Sequence, residues 1–365
     1  MHWGHYMSKF YLIVYFFRYK FSAAVSLLLF FVLLLNCSKI LDPDESGNLV
    51  PKTVSEDSNL PSRNINGVRL HLETMGNIAN PIIIFLHGGP GCDYRAMISS
   101  IGVENASRYP SQRKVTNGGL SVLQDKYYCV FFDQRGAGLS PRFDPGEVSF
   151  EKYITDVDAI IDTFLLAKKL AGVAADSQVT LFGWSFGGVL ATGYANAHPT
   201  KVRDIVVYEP GPFTFEARDT LHFTSVFSMI GKPSLDEWLG GLKHITADSH
   251  ARADYQLALG AGRFAPEFHE NPNTPVWRFG KLVKDDIDDF GAVIENHRLV
   301  NNLSSFNGRF LFIYGELEKL SLPGYSTIEM SYYTHATSVA VPGVGHDGAW
   351  ERADTISAII RVFLK

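Results

Sequence analysis

The feature that most constrains the fold is a repeated alternation of short apolar segments with amphipathic ones, beginning near residue 65. Each apolar segment has the length of a buried strand and is ended by Gly or Pro. Between two of them, residues 150–171 carry apolar side chains at helical spacing. Repeated strand–helix–strand units predict a mostly parallel sheet flanked by helices, with functional groups gathered at the carboxyl ends of the strands. The predicted strands lie within residues 81–89, 127–136, 178–187, 204–211, 309–316 and 336–343.

The length and charge of the chain limit the number of domains and the kinds of binding partner. The chain has 365 residues, of which 46% are hydrophobic, and it carries 33 basic and 38 acidic side chains. A chain of this length can bury a large core, and it fits one domain with an insertion or a small second domain better than three domains. Because there is no strong charge bias, nucleic acid is not an expected partner.

Residues 1–36 are expected to form a signal peptide that is not part of the fold. Basic residues precede a mainly apolar run at residues 21–35, which suits a secretory signal and is short for a membrane-spanning helix. The following Leu-Leu-Asn-Cys resembles a bacterial lipobox and predicts Cys37 as a lipid-modified first residue. An uncleaved anchor and cleavage at another site are the alternatives, and Met7 is an alternative start to Met1. We therefore expect an exported protein that a lipid anchor holds at a membrane.

Residues 37–60 are polar, contain Pro and Ser, and lack periodicity. They predict a flexible tether between the membrane and the folded domain. Beyond Cys37, the only cysteines are Cys92 and Cys129, so no disulfide framework is expected. Both are predicted to be unpaired, partly buried thiols.

Ser185 stands in the sequence Gly-Trp-Ser-Phe-Gly, between the predicted strand at 178–182 and a helix predicted over 189–197. Gly183 and Gly187 remove the side chains that would collide in so sharp a turn. The turn would hold the serine exposed, beside the N–H groups at the positive end of the helix. We predict Ser185 to be a nucleophile, and the alternative is a small residue in a tight turn.

A serine nucleophile needs a histidine to accept its proton. His346 lies in a Gly-rich loop after the last predicted strand and before a helix predicted near residues 354–364, where such a base is expected. His87 competes with it, but it lies where an oxyanion loop is expected and is predicted to order that loop by hydrogen bonding. A histidine in the core or on the surface is the alternative for each.

The acid that orients the histidine is expected after the penultimate predicted strand, which gives the order Ser185, Glu318, His346. Glu316 is a close alternative. Glu209 is another, because it ends the preceding predicted strand.

Two N–H donors are needed for the oxyanion that forms during acyl transfer. Phe186, which follows the predicted nucleophile, offers one. The segment His-Gly-Gly-Pro-Gly at residues 87–91 follows a buried strand and offers the other, which we assign to Gly89, with Gly88 allowing close approach. A plain glycine turn is the alternative.

The segments HGGPG, FFDQRGAGLS, GWSFGG and GVGHDG together resemble the α/β-hydrolase fold. The pairing of HGGPG with DQRG resembles the proline iminopeptidase branch of the serine peptidases. The resemblance covers roughly residues 65–211 and 292–365. It implies the same nucleophile, base and oxyanion donors, with Glu318 where that family usually has Asp. It also implies that Asp133 and Arg135 of DQRG brace the loops around the site.

The resemblance divides the domain into a first core part at residues 61–211, a helical cap at 212–300 and a second core part at 301–365. The cap does not match the family clearly. An aminopeptidase must bind a free ammonium, and the segment VIENHRLVN resembles one that supplies a glutamate for this purpose. Glu295 is therefore the candidate for substrate binding, and Glu267 is a second one suggested by spacing alone.

The expected protein is an α/β-hydrolase that acts through an acyl-serine intermediate and needs no metal and no cofactor. Its expected substrate is a short peptide from which it removes an N-terminal residue, especially proline. The alternatives are an esterase, lactonase or amidase for small apolar acyl compounds, and a non-catalytic binding protein on the same fold. The oligomeric state stays open.

Overall fold

A computed structural model describes most of the chain downstream of residue 49. The described residues are 50–99, 118–173, 177–220, 275–281, 290–318 and 324–365, together with single residues 250, 251, 253, 254, 257 and 287. The predicted signal peptide at residues 1–36, Cys37 and Glu267 lie outside them.

An eight-stranded sheet forms the centre of the domain, in the order β1-β2-β4-β3-β5-β6-β7-β8. Strands β3 to β8 pair in parallel, whereas β1 with β2 and β2 with β4 pair antiparallel. The mostly parallel sheet predicted from the sequence is therefore confirmed. The strands are β1 (Ser62–Ile65), β2 (Val68–Met75), β3 (Ile82–Leu86), β4 (Tyr128–Phe132), β5 (Val179–Trp184), β6 (Val202–Tyr208), β7 (Arg309–Gly315) and β8 (Ala336–Val341).

All six predicted apolar segments contain a strand. Strand β3, near the centre of the sheet, shows the reason most clearly, because it is apolar on both faces. Ile82, Ile84 and Leu86 belong to one buried cluster, and Ile83 and Phe85 belong to the other. Successive side chains of a strand point to opposite faces. A strand covered by helices on both sides must therefore be apolar throughout.

The hairpin of β1 and β2 was not predicted from the sequence. Its strands are half polar, as expected at the edge of a sheet. The signal that could have found it is the Asn66-Gly67 pair between them, where both residues have positive φ, 49° and 76°. A two-residue turn of this kind is typical of β-hairpins.

Seven α-helices lie within the described residues, and the longest shows why they form. Helix α1 begins after Ser149, whose hydroxyl accepts a hydrogen bond from the Lys152 N–H at 3.3 Å, and it has Lys168 and Lys169 in its last turn. Such a cap and such cations stabilise the ends of a helix. The helices are α1 (Phe150–Leu170), α2 (Phe186–Ala197), α3 (Phe215–Arg218), α4 (Phe290–His297), α5 (Tyr325–Met330), α6 (Gly348–Glu351) and α7 (Ala353–Phe363).

Residues 50–60, which the sequence predicted as the end of a tether, pack on the domain and are called the N-terminal strap here. Val54 is fully buried and Leu60 is 2% exposed. The Val54 N–H donates to the Leu139 carbonyl at 2.8 Å. This correction to the predicted tether follows from isolated apolar residues that have no periodicity but fill gaps in the core.

Of the predicted cap, the structure describes α3, α4, a few single residues that include Asp254, and the cap segment, which we define as residues 275–281. Within the described part of the chain, no helix is long and apolar enough to span a membrane. Cys92 is partly buried, whereas Cys129 is fully buried rather than partly buried as predicted.

Candidate active site

Ser185 lies in a strained turn between β5 and α2. Its backbone has φ 54° and ψ −121°, a conformation that residues other than glycine rarely adopt. The turn is held by hydrogen bonds from the Ser185 N–H to the Tyr208 carbonyl at 3.0 Å and from the Gly188 N–H to the Ser185 carbonyl at 2.8 Å. A side chain at Gly187 would strike the Leu86 carbonyl. The turn therefore depends on glycine there and holds the hydroxyl at the carboxyl end of the sheet.

The Gly-rich loop, residues 87–93, follows β3 and lies against the serine. The backbone of Gly88 is so close that a Cβ on it would lie 3.7 Å from the Ser185 Oγ. The backbone of the loop therefore lies directly beside the Ser185 side chain. Gly89 follows with a φ of 122°, in the region that favours glycine.

His87 orders this loop, as predicted, and its hydrogen bonds identify the tautomer. Its Nε2 accepts from the Gln134 N–H at 3.0 Å, so the proton must be on Nδ1, which donates to the Gly88 carbonyl at 2.8 Å. Burial lowers the pKa of His87, although the Asp133 carboxylate opposes the shift. His87 is therefore a neutral structural residue.

His346 and Glu318 meet at the carboxyl ends of β8 and β7. The His346 Nδ1 lies 3.4 Å from the Glu318 Oε2, and the two side chains are 16% and 8% exposed. The carboxylate can hold the imidazole with Nδ1 protonated, leaving Nε2 as the basic nitrogen. Both residues follow the carboxyl ends of their strands, as Ser185 follows the carboxyl end of β5.

The two alternative acids occupy different environments. Glu316 is exposed to solvent. Glu209 is 5% exposed, and its Oε1 accepts a hydrogen bond from the Gly315 N–H at 2.6 Å. Glu209 thus ties the end of β6 to the end of β7, and a carboxylate used in this way supports the loop that carries Glu318.

Two hydrogen bonds attach the loop of His346 to the ends of strands β5 and β6. The Trp184 Nε1 donates to the His346 carbonyl at 3.0 Å. The Tyr208 hydroxyl donates to the carbonyl of Gly345. Both donors lie at strand ends, so the sheet fixes the position of the histidine.

Asp133 and Arg135 brace the surrounding loops, as the sequence implied. The Asp133 carboxylate accepts from the N–H groups of Tyr94 at 3.1 Å and Leu139 at 2.7 Å. Arg135 donates to both carboxylate oxygens of Asp156 in α1, at 2.8 and 2.7 Å. Such a paired arrangement fixes direction as well as distance.

Asp93 was missed in the sequence, and it joins the Gly-rich loop to the cap segment. Its Oδ2 accepts from the N–H groups of Trp277 at 2.7 Å and Arg278 at 3.1 Å, and its Oδ1 accepts from the Arg95 N–H at 3.0 Å. Burial and the nearby Asp133 carboxylate raise the pKa of Asp93 to about 8, although the N–H donors of Arg278 and Arg95 oppose the shift. No local pattern marks its role, because its partners in the cap segment lie 184 and 185 residues further along the chain.

Glu295 lies on α4, with its side chain exposed. The neighbouring Val293 and Ile294 are 6% and 7% exposed and pack into the core. Glu295 therefore stands on the solvent side of this helix, and its role in substrate binding stays a prediction.

A family model described as the α/β hydrolase fold matches residues 81–353, about three quarters of the chain. The chain belongs to the α/β-hydrolase fold family. Solved structures agree: a meta-cleavage product hydrolase from Pseudomonas fluorescens aligns with a TM-score of 0.52 and 17% identity, over 84% of this chain and 98% of that one. At this identity, the likeness concerns the fold alone.

Among curated proteins, the chain is similar to proline iminopeptidases, which confirms the resemblance found in the sequence. It is 30% identical to proline iminopeptidase PfmaB of Pestalotiopsis fici over 148 residues, which are 40% of this chain and 43% of that protein. It is 28% identical to a proline iminopeptidase of Xylella fastidiosa over 140 residues, 38% of this chain and 35% of that protein. The chain spans less than half the length of either relative.

Proposed function

We propose that this protein is a serine hydrolase that releases N-terminal proline, or a similar residue, from short peptides. The observation that carries the proposal is the pair of His346 Nδ1 and Glu318 Oε2, which lie 3.4 Å apart. The carbonyl of His346 accepts a hydrogen bond from the side chain of Trp184, the residue before Ser185. The strained turn at Ser185 and the glycine backbone beside its Oγ support the same assignment.

In the acylation step, the Ser185 oxygen attacks the carbonyl carbon of the N-terminal residue of the substrate. Its proton passes to the His346 Nε2, and the resulting imidazolium is stabilised by Glu318. The tetrahedral intermediate carries a negative oxygen, for which the N–H groups of Gly89 and Phe186 are the proposed donors. The carbon–nitrogen bond then breaks, and His346 returns the proton to the leaving amine.

In the second step, water replaces the amine. His346 takes a proton from the water, whose oxygen attacks the acyl-serine ester. The ester bond breaks, the proton returns to the Ser185 oxygen, and the N-terminal residue leaves as a free amino acid. No atom beyond peptide, water and these side chains is required.

The low exposure of the His346 and Glu318 side chains supports this assignment electrostatically. Opposite charges interact more strongly when water is partly excluded.

The oxyanion donors are a second source of rate enhancement, since losing a single one typically slows an enzyme by about 10²- to 10³-fold. The proposed N–H donors are backbone groups, so they need no side-chain reorganisation.

The preference for an N-terminal residue rests on the similarity to proline iminopeptidases and on Glu295. A substrate with a free N-terminus presents an ammonium, which a nearby carboxylate would attract. Glu295 is the described residue that the family resemblance indicates for this contact.

One observation favours a second candidate, an esterase or amide hydrolase for small acyl compounds. Glu295 is exposed, and an exposed carboxylate contributes only about 0.2–1 kcal/mol to an ion pair. The same three residues would hydrolyse an uncharged ester without recognising an ammonium.

The test compares prolyl-naphthylamide with p-nitrophenyl butyrate on the full chain, together with labelling by a fluorophosphonate probe. We expect the probe to label the wild type and to leave Ser185→Ala unlabelled, and we expect turnover of the prolyl substrate. Labelling with turnover of the ester alone would favour the second candidate. Absence of both labelling and turnover would favour a binding protein on this fold.

We further propose that the chain is exported and held at a membrane through a lipid on Cys37. The support is the sequence Leu-Leu-Asn-Cys after an apolar run. The polar residues that follow it would leave the folded domain free of the membrane surface.

A further inference from the structure

The N-terminal strap reaches two of the loops that surround the candidate site. Val54 is fully buried, and its N–H donates to the carbonyl of Leu139, in the loop after β4. The Pro51 carbonyl accepts a hydrogen bond from the Arg278 Nη1, in the cap segment, at 2.8 Å. The strap precedes the residues that the family model matches, which begin at residue 81.

Arg278 lies in a buried ionic cluster beneath the strap. Its side chain is 4% exposed, and its Nε donates to the Asp254 Oδ2 at 2.7 Å. Arg142 donates its own Nε to the same oxygen at 2.8 Å, and Asp254 is 2% exposed. The cluster has two cations around one carboxylate, with the Glu56 Oε2 3.6 Å from the Arg278 Nη1. Asp254 is the carboxylate that compensates both cations, so each guanidinium is held against it at a fixed place in the cluster.

The cap segment is attached, in turn, to the Gly-rich loop. The N–H groups of Trp277 and Arg278 both donate to the Asp93 Oδ2. The Gly280 N–H donates to the Gly91 carbonyl at 2.7 Å. The same residue, Arg278, therefore holds the strap through its side chain and the Gly-rich loop through its backbone.

Within the Gly-rich loop, Gly89 packs closely against the residues that carry these hydrogen bonds. The turn is so tight that a Cβ on Gly89 would lie 2.6 Å from the Gly91 nitrogen and 2.7 Å from the Cys92 nitrogen. Because Gly89 packs directly against the backbone of residues 91 and 92, we expect a shift of residues 91–93 to displace Gly89 as well. Gly89 is the residue assigned to donate to the oxyanion.

We infer that Arg278 is a positioning residue and that it uses the N-terminal strap to set the place of the oxyanion donor at Gly89. The inference rests on the proposed function, because it assigns a catalytic consequence to this geometry. Oxyanion donors must lie within about 2.7–3.1 Å of the developing charge, and a misplacement of about 1 Å can cost roughly 10²-fold in rate. Arg278 touches no reacting atom, so it acts through the loop.

Three variants of the full chain test the inference. Arg278→Met removes the bonds to Pro51 and Asp254, and Arg278→Lys keeps the charge while losing the planar geometry. Val54→Ala loosens the strap without touching the charges. The matched control is Arg309→Met, because Arg309 likewise donates to a buried carboxylate, Asp204, at 2.8 and 3.1 Å. Arg309 begins β7, at the opposite end of the sheet from the site.

Hydrogen–deuterium exchange provides a readout that does not depend on activity. We expect faster exchange of the amides in residues 88–93 and 275–281 in both Arg278 variants and in Val54→Ala, and unchanged exchange there in Arg309→Met. Equal exchange in wild type and all variants would overturn the coupling, even if the protein has no hydrolase activity. If Arg278→Met does not fold, Arg278→Lys and Val54→Ala carry the test.

Kinetics then test the consequence for catalysis. We expect kcat to fall about tenfold or more in the Arg278 variants for peptide and ester alike, with KM within about twofold, because the defect lies in the oxyanion donor. Arg309→Met should lose stability but keep kcat. A folded Arg278→Met with the kcat of the wild type would overturn the inference while leaving the proposed function intact. A wild type without turnover or probe labelling would instead overturn the proposed function.

Discussion

The indole of Trp184 donates a hydrogen bond to the main-chain carbonyl of His346 at 3.0 Å, across 162 residues of sequence. Trp184 is the residue before Ser185, so this bond joins the strand that ends at the serine to the loop that carries the histidine. The ring centroids of the two residues are 6.4 Å apart. The position of the His346 loop relative to the end of β5 is thus set by the fold before any substrate binds.

Ser185→Ala and His346→Ala are each expected to lower kcat by about 10⁵- to 10⁶-fold, because the members of a triad act as a unit. Steady-state kinetics with the better of the two substrates checks this. The double variant should be no slower than either single one, and circular dichroism should match the wild type. Substantial turnover in either single variant would contradict the mechanism.

Glu318→Gln is expected to lower kcat by about 10³- to 10⁴-fold, because an amide cannot stabilise the imidazolium. Glu316→Gln is the matched control, since Glu316 is exposed and lies two residues away. Glu209→Gln should have a small effect, because a glutamine oxygen can still accept from the Gly315 N–H. A larger loss in Glu209→Gln than in Glu318→Gln would transfer the role to Glu209.

Glu295→Gln distinguishes a peptidase from an esterase. Since Glu295 is exposed, we expect kcat/KM for substrates with a free N-terminus to fall only about two- to fivefold. N-acetylated peptides and uncharged esters have no ammonium and should be unaffected. Equal loss on both substrate types, or none on either, would remove Glu295 from the binding site.

Cys37→Ser is expected to release the protein from membranes or to block its processing, because a lipid on the sulfur would supply the attachment. Membrane fractionation and mass spectrometry of the mature N-terminus check this. An unmodified cysteine within an intact segment of residues 20–40 would indicate an uncleaved anchor instead.

Asp93→Asn is expected to change how stability depends on pH. The pKa of Asp93 is raised to about 8, whereas an unfolded chain releases this proton near pH 3.9. Between these values the folded protein binds more protons, so the free energy of unfolding that Asp93 contributes falls as pH rises. The contribution is complete below about pH 4 and is lost by about pH 8.

Urea unfolding of wild type and Asp93→Asn, from about pH 5 to about pH 9, measures this contribution. The difference in unfolding free energy, wild type minus variant, should decrease with rising pH and level off above the folded pKa. A difference that does not change with pH would mean that Asp93 titrates normally in the folded protein.

Much of the fold could be predicted from the sequence because its signals are local. The buried strands are mainly apolar, and helix α1 repeats its apolar residues every three or four positions. The strained turn at Ser185 is marked by the glycines that it requires. The hairpin of β1 and β2 was missed, although its Asn-Gly turn is also a local signal.

The exposure of Glu295 and the packing of the strap could not be predicted in the same way. A glutamate on an amphipathic helix faces solvent or a pocket according to what packs against that helix. A single buried Val54 in a polar segment has no pattern around it. Both outcomes depend on surfaces that come together only when the chain folds.

The sequence by itself determined the six strands β3 to β8, their parallel direction and the glycine turns that present Ser185 and Gly89, because these follow from side-chain periodicity and backbone freedom. Only the tertiary structure brought Glu318 to His346 and tied Glu209 to the end of β7. It also joined Asp93 to Arg278 across 185 residues, and Arg278 to Pro51 across 227. Such contacts are chosen by shape and charge in three dimensions, where burial makes each unpaired group costly, and no local pattern in the chain records them.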